Sequence, residues 1–279
     1  MGPRTAGTVR EALEASTAAI AAAGAGQPRL DAELLLADAL DLDRAALVAD
    51  PDRGVDPTQG RRFGEMVRRR VAREPVAYIL GRKGFRHLEL RVDGRALIPR
   101  PETELLVELA LELRPKVVID VGTGSGAVAL AIADEVEGTS VVGTDISQLP
   151  LELARENARA LELDTRARFL EASLPNGAAA DLLVANLPYV AEAEWEGLEP
   201  EITQWEPRPA LVSGPTGLES IERLLGEVAT GDGWVEAIGL EVGAGQAAPV
   251  AELVRRAGFE RVEARRDLAG IERVVVGRR

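Results

Sequence analysis

Apolar positions recur at helical spacing over residues 8–80. Val9, Leu13 and Ile20 share one face, Leu30, Leu34, Leu35 and Ala39 form a second stripe, and Phe63, Met66, Val67 and Val71 a third. Gly24-Ala25-Gly26 and Pro51-Asp52-Arg53-Gly54 interrupt the stripes, so this region predicts a small helical bundle. From Phe85 to Ile98 the pattern changes to alternating apolar and polar residues around Asp93-Gly94, which predicts a β-hairpin turning at that pair and connecting the bundle to the rest of the chain.

After Pro101 the period switches back and forth. Thr103–Leu113, Ala127–Ala133, Leu151–Leu161, Ser220–Ala229 and Ala248–Ala257 read as helices. Lys116–Val121 reads as a buried strand, and Ser140–Asp145, Ala167–Glu171, Asp181–Asn186 and Trp234–Val242 read as strands. Strands alternating with helices predict an α/β fold with a parallel, doubly wound sheet. Val262–Arg266 and Arg273–Val276 have no helix between them and predict an antiparallel pair closing the sheet.

The length of 279 residues favours two domains at roughly 150 residues each. The boundaries read as 1–84 for the helical part, 85–99 for the hairpin connector and 100–279 for the alternating part. Cysteine is absent, which excludes disulfides, thiolate nucleophiles and cysteine-held metals. A single histidine, His87, excludes two-histidine metal sites, so no metal is expected. The net charge of −13 is uneven: residues 1–84 carry 13 basic against 12 acidic side chains, and residues 85–279 carry 20 against 34. An acidic larger half repels a phosphate backbone, so direct nucleic-acid binding is not expected. No apolar run approaches the ~20 residues of a membrane span. The alanine-rich stretch Thr17–Gly26 reads as a helix end and not a secretion signal, which makes cytoplasmic the expected location.

Candidate chemistry begins at Asp120-Val121-Gly122-Thr123-Gly124-Ser125-Gly126, where the first strand of the alternating part turns into a helix. Glycines there let the backbone turn tightly and approach a ligand, and the helix start offers free N–H groups. Asp145 ends the next strand, 19 residues past Gly126, near the ~20-residue spacing of a ribose-binding acid. Together they describe a nucleoside site, for a dinucleotide or for S-adenosylmethionine. Asp120 beside the loop tilts the choice toward the cationic ligand, unless it caps the turn. The fourth strand of this part ends in Asn186-Leu187-Pro188-Tyr189, on the sheet edge that lines the ligand crevice. A conjugated amino group is a poor nucleophile, and two acceptors gripping its hydrogens hold it in line with a methyl sulfonium. The side-chain oxygen of Asn186 and the backbone oxygen of Leu187 supply such acceptors, with Pro188 fixing the turn and Tyr189 as an apolar wall.

The ordered set Ile98-Pro99-Arg100-Pro101-Glu102-Thr103-Glu104, Asp120–Gly126 and Asn186–Tyr189 resembles the release-factor glutamine methyltransferase (PrmC/HemK) family. Glu74–Gly81, Glu206–Leu211 and Glu241-Val242-Gly243 with Gln246 extend the likeness over nearly the whole chain. The resemblance implies a seven-stranded Rossmann-like methyltransferase sheet with an N-terminal all-helical, substrate-binding domain joined to it by a β-hairpin. It implies methyl transfer from S-adenosylmethionine to the side-chain amide of the glutamine in the Gly-Gly-Gln loop of peptide-chain release factors. Carried over by position, Gly122, Thr123, Gly124, Ser125, Gly126 and Asp145 hold the cofactor, with Ser173 or Leu174 near its adenine. Asn186, Leu187, Pro188 and Tyr189 grip the glutamine, Asn186 also bordering the cofactor. Leu187 stands where the family usually has Pro. Asn-Leu-Pro-Tyr as written also occurs in ribosomal-RNA adenine dimethyltransferases, the alternative reading, with a nicotinamide-dependent dehydrogenase behind it.

Outside these motifs, Arg61, Arg62, Arg68, Arg69, Arg70 and Arg73 read as a solvated helix face, His87 as a hairpin surface residue, and Arg100 with Glu102 as a structural pair. Trp195 and Trp205 fit equally a lid and simple packing.

Overall fold

The computed structural model describes residues 7–174, 177 and 179–279, which form two compact units. One comprises the chain up to Gly81 together with Glu199–Trp205. The other comprises Arg82–Leu198 and Glu206–Arg279.

In the first unit the helices are α1 (Val9–Ala22), α2 (Pro28–Leu40), α3 (Arg44–Ala49), α4 (Pro57–Val71) and α5 (Val76–Leu80). Their starts are written in the sequence: Thr8 and Glu11 close a capping box on α1, Asp43 caps α3, and Asp56 followed by Pro57 starts α4. Ile20, Leu35, Leu36, Leu47 and Phe63 meet in its core. The third apolar stripe departs from its expected end. Val71 is 39% exposed, and the core-facing position after Phe63 and Met66 is Arg70, which is buried. Its guanidinium donates to Asp31 (2.7 Å) and to Glu201 (2.7 Å). Arg73 donates to the same Glu201 (2.8 Å) and to Glu199 (2.9 Å), while Arg69 is bidentate to Glu74. Arg69, Arg70 and Arg73 are thus not a solvated face. Arg70 and Arg73 hold the short segment 199–205 in the unit, because a buried guanidinium persists only with its donors occupied.

The second unit opens with β1 (Arg82–Phe85) and β2 (Leu88–Arg91), an antiparallel hairpin turning at Arg86-His87, where Arg86 has φ 52°. His87 lies on this turn with its side chain 74% exposed. The turn expected at Asp93-Gly94 lies beyond the hairpin. There the Asp93 carboxylate accepts from the Arg95 N–H (3.1 Å) and closes a turn that needs no paired strands.

Further along the chain come α6 (Glu104–Leu113), β3 (Val117–Val121), α7 (Ala127–Glu135), β4 (Ser140–Asp145), α8 (Gln148–Ala160), β5 (Ala167–Glu171), β6 (Ala179–Ala185), β7 (Val190–Ala191), α9 (Pro200–Trp205, part of the helical unit), β8 (Val212–Gly214), α10 (Glu219–Thr230), β9 (Trp234–Glu241), α11 (Ala247–Arg256), β10 (Arg261–Arg266) and β11 (Glu272–Arg278). Seven strands form one sheet in the order β10-β11-β9-β6-β3-β4-β5, parallel except where β11 runs antiparallel to β9 and β10. Successive residues of the central strands feed opposite cores. Val118, Leu182 and Val184 pack with Leu106, Leu130 and Leu151 on one face, and Ile119, Leu183 and Ala185 with Ile221, Leu224 and Val250 on the other. Burial on both faces explains why these strands are apolar without alternation. Each fully buried leucine contributes about 2 kcal/mol through the apolar surface it removes from water.

Candidate active site

Val121 of β3 is paired in register with Ala185 of β6, so residues 122 and 186 leave the sheet side by side. On one side of β3 the chain proceeds through β4 and β5, and it returns to β6 on the other. This reversal of strand order opens the crevice in which doubly wound sheets bind ligands.

Residues 122–126 cross that crevice. Gly122, Gly124 and Gly126 have φ of 72°, 55° and 84°, values that side chains with a Cβ disfavour, which is why every second residue is glycine. The loop is clasped from behind. The Thr123 N–H donates to the Thr144 carbonyl (2.8 Å), and the Thr123 hydroxyl to the Asp120 carboxylate (2.7 Å). The same Asp120 oxygen accepts the Ala129 N–H from the first turn of α7 (3.1 Å). Asp120 is buried, and burial pushes its carboxyl up to about 6. Through that oxygen it caps the turn. Thr123 and Ser125 are buried as well, and the Ser125 carbonyl accepts from Asn157, whose amide also bridges the N–H and carbonyl of Arg91. What the loop presents to the crevice is the half-buried backbone at Gly122 and Gly124.

Asp145, at the end of β4, accepts the Gly124 N–H (3.2 Å) on one oxygen and the Ser147 N–H (3.0 Å) on the other. Burial raises its carboxyl above the ordinary value, opposed by these backbone donors. Ser173 lies just past β5. Its carbonyl accepts the Thr144 hydroxyl (3.0 Å) and its own hydroxyl donates to Glu227 of α10. Leu174 packs with Leu187 and Leu218 against the second core. The structure thus gathers the loop, Asp145 and residues 186–189 at one sheet edge, while the polar groups of Ser173 are directed to Thr144 and Glu227.

Asn186, Leu187, Pro188 and Tyr189 are all half-buried. A Cβ built on Gly122 would stand 2.8 Å from Leu187 Cδ2, so the two segments touch where only a hydrogen fits. Asn186 Nδ2 donates to the Thr103 hydroxyl (3.0 Å), and among the described residues no donor reaches Asn186 Oδ1 or the Leu187 carbonyl. Two acceptors are therefore left open at adjacent positions. The Tyr189 carbonyl accepts Gln246 Nε2 (2.9 Å), and Gln246 Oε1 accepts the Gly243 N–H (2.9 Å), which pins the end of the motif to the turn after β9. Burial pushes the Tyr189 phenol up to about 12, so it remains neutral.

Two buried carboxylates stand beyond what the residue patterns identify. Glu206 accepts the Ile98 N–H (3.1 Å) and pairs with Arg100, so the arginine's partner is Glu206 and not Glu102. Glu241, at the end of β9, is 2% exposed and lies against the Thr103 hydroxyl. Its Oε2 has no hydrogen-bond partner among the described residues. Burial pushes its carboxyl up to about 7. Trp195 takes Arg208 over its ring at 5.6 Å, and the Trp205 indole nitrogen is buried without a partner among the described residues. None of the described helices is long and apolar enough to cross a membrane.

Comparison with known proteins covers both units. Residues 11–81 match the PrmC N-terminal domain, and residues 104–193 match the ribosomal protein L11 methyltransferase (PrmA) family. A release factor glutamine methyltransferase of Nitratidesulfovibrio vulgaris is 39% identical over 98% of this chain and 95% of its own length. Its namesake in Deinococcus radiodurans is 38% identical over 97% of this chain and 98% of its own length. Among solved structures, the human METTL16 catalytic domain in complex with an MAT2A 3′UTR hairpin aligns with TM-score 0.56 at 14% identity, covering 68% of this chain and 74% of that one, a likeness of fold.

Proposed function

The chain belongs to the release factor glutamine methyltransferase family of S-adenosylmethionine-dependent methyltransferases, and we propose that it methylates the side-chain amide nitrogen of the glutamine in the Gly-Gly-Gln loop of a peptide-chain release factor. The observation that carries this reading is the pair of open acceptors, Asn186 Oδ1 and the Leu187 carbonyl, next to a glycine turn. A primary amide has two N–H groups on one planar nitrogen, and two adjacent oxygens match them.

The donor site fits S-adenosylmethionine in what it offers: half-buried backbone at Gly122 and Gly124, open space over Gly124, where a Cβ would meet nothing nearer than 4.0 Å, and the half-buried carboxylate of Asp145. When bound there, the cofactor supplies a methyl group already activated by its positive sulfur. The chain's own residues then have one task, positioning. Asn186 and Leu187 hold the amide nitrogen with its face toward the glycine turn, Pro188 restricts the backbone just after the second grip, and the neutral Tyr189 ring shields the site from water. Orientation of two reactants supplies much of the rate, so no general base is required before transfer, and the proton that the methylated nitrogen must lose is released to solvent afterwards. Ser173 and Leu174 are assigned to the adenine side. The helical unit, up to about residue 84, is assigned to recognition of the release-factor body, with residues 85–99 as the connector.

The test is transfer of label from S-adenosylmethionine to a release factor and to ribosomal RNA in parallel. The expected product is labelled glutamine in the factor; label in RNA alone overturns the proposal. Asn186→Ala should lower turnover about 100-fold, the scale of losing one preorganised group at a reacting centre, with cofactor affinity changed by only a few-fold.

A further inference from the structure

Asn186 can grip an amide only if its own amide is turned the right way. Its Oδ1 and Nδ2 have nearly the same shape, and a flip would present two donors to a substrate nitrogen that also donates. The partner that sets the orientation lies 83 residues earlier. The Thr103 hydroxyl, 4% exposed, accepts from Asn186 Nδ2 at 3.0 Å. A hydroxyl, however, both donates and accepts, so by itself it would tolerate either orientation. Glu241 removes that ambiguity. Its carboxylate lies against the same hydroxyl, and an ionised carboxylate accepts only. Once the hydroxyl proton is turned toward Glu241, Thr103 can only accept from residue 186, which keeps Nδ2 on that side, as in the structure, and Oδ1 toward the crevice.

We propose that Thr103 and Glu241 are positioning residues that lock the amide of Asn186 in its substrate-accepting orientation through the directed chain Asn186 Nδ2 to Thr103 Oγ1 to Glu241. The inference rests on Asn186 being a grip on the substrate amide. Two further observations support it. Glu241 keeps an oxygen with no partner among the described residues in a site that is 2% exposed, an expensive arrangement for a residue with no task beyond packing. Charged groups of both signs face it: Glu102 opposes its ionised form, Arg273 and Arg100 favour it, and Tyr189 stands beside it as a neutral phenol. Burial then holds the carboxyl at about 7, so the lock engages as pH rises through neutrality and loosens below it, when a protonated Glu241 can donate to Thr103 and release the hydroxyl proton.

The test uses the full chain, labelled S-adenosylmethionine and a release factor. Glu241→Gln, close in shape, is expected to lower kcat about tenfold, the scale of one hydrogen bond to a charged group, while the KM for S-adenosylmethionine stays within about twofold. The wild-type rise of kcat between pH 6 and 8 should flatten in that variant. Thr103→Val should lose a similar factor and Thr103→Ser should recover most of it, since serine keeps the hydroxyl. A wild-type rate and pH profile in Glu241→Gln overturns the lock, as does a Thr103→Ser variant as impaired as Thr103→Val, or a loss of cofactor affinity equal to the loss of turnover. If Asn186→Ala itself leaves turnover intact, the grip has failed and the lock with it. If Asn186→Ala abolishes turnover while the Thr103 and Glu241 variants do not, only the lock has failed.

Discussion

The ends of β3 and β9 each carry a buried acid, and the two are treated in opposite ways. Asp120 is tied into its own turn: one oxygen takes both the Thr123 hydroxyl and the Ala129 N–H. Glu241 is buried as deeply, 2% exposed in each case, yet one of its oxygens finds no partner among the described residues. Both carboxyls are pushed up by burial, Asp120 to about 6 and Glu241 to about 7. A satisfied buried acid is scaffold, whereas an unsatisfied one marks a place where stability has been given up. The glycine loop and the Asn186 motif differ in the same sense. One has its polar groups tied behind it, and the other leaves two acceptors open.

The contrast breaks most sharply at Asp120. Asp120→Ala strands a buried hydroxyl and a buried helix N–H together, and it should cost about 3 kcal/mol in unfolding free energy. Because the loop loses its clasp, S-adenosylmethionine should stabilise the variant against heat far less than it stabilises the parent. Differential scanning with and without cofactor reads both effects, and an unchanged cofactor-induced shift in Tm would mean the clasp is unnecessary. Gly122→Ala comes next. It combines a φ of 72° with a contact of 2.8 Å to Leu187 Cδ2, and should cost about 2 kcal/mol and weaken cofactor binding. Adding Leu187→Ala should recover the part due to the contact and leave the part due to φ, which a double-mutant cycle separates.

The same division governs what can be read from the chain alone. The glycine loop and Asn186–Tyr189 are local: five and four consecutive residues whose types state their geometry, and the alternation of strands and helices sets their place at a common sheet edge. Asp120 reads two ways because its neighbours in sequence suggest a ligand, while its partners, Thr123 and Ala129, depend on the turn first being made. The apolar stripe of α4 misses Arg70 by one helical position. Val71 is the apolar residue, but Arg70 holds the core-facing place, and only its distant partners Asp31 and Glu201 make that tolerable. The contacts joining Thr103, Asn186 and Glu241 span more than 130 residues of chain and carry no periodic signal. Their one trace is membership of the Arg100–Glu104 and Glu241–Gly243 matches, which name a family without naming a role. The hairpin shows the limit of turn signals: Asp93-Gly94 turns the chain, but the paired strands turn at Arg86-His87.

The smallest expected effect is also the one of opposite sign. Replacing Glu241 by Gln removes a group whose folded-state carboxyl sits near 7 against an ordinary value of 4.5. A raised carboxyl means that the folded protein holds its proton more tightly than the unfolded chain. The associated stability is complete below about pH 4.5 and is lost as pH rises through 7. Wild type should therefore lose stability between pH 5 and pH 8 on this account, and Glu241→Gln should not. At pH 5 the two proteins should melt together. At pH 8 the variant should be the more stable by about 1–2 kcal/mol, less than the full linkage because glutamine makes a weaker bond to Thr103 than a carboxylate does, and Tm should rise by a few degrees. Asp120→Asn, whose amide oxygen can still take both the Thr123 hydroxyl and the Ala129 N–H, should show a smaller gain over the same interval, since burial raises Asp120 only to about 6. A Tm difference for Glu241→Gln that is the same at pH 5 and pH 8 would remove the distinction between the two strand ends. A variant that gains stability at pH 8 while losing turnover there would show that the open carboxylate is kept for the reaction at the expense of the fold.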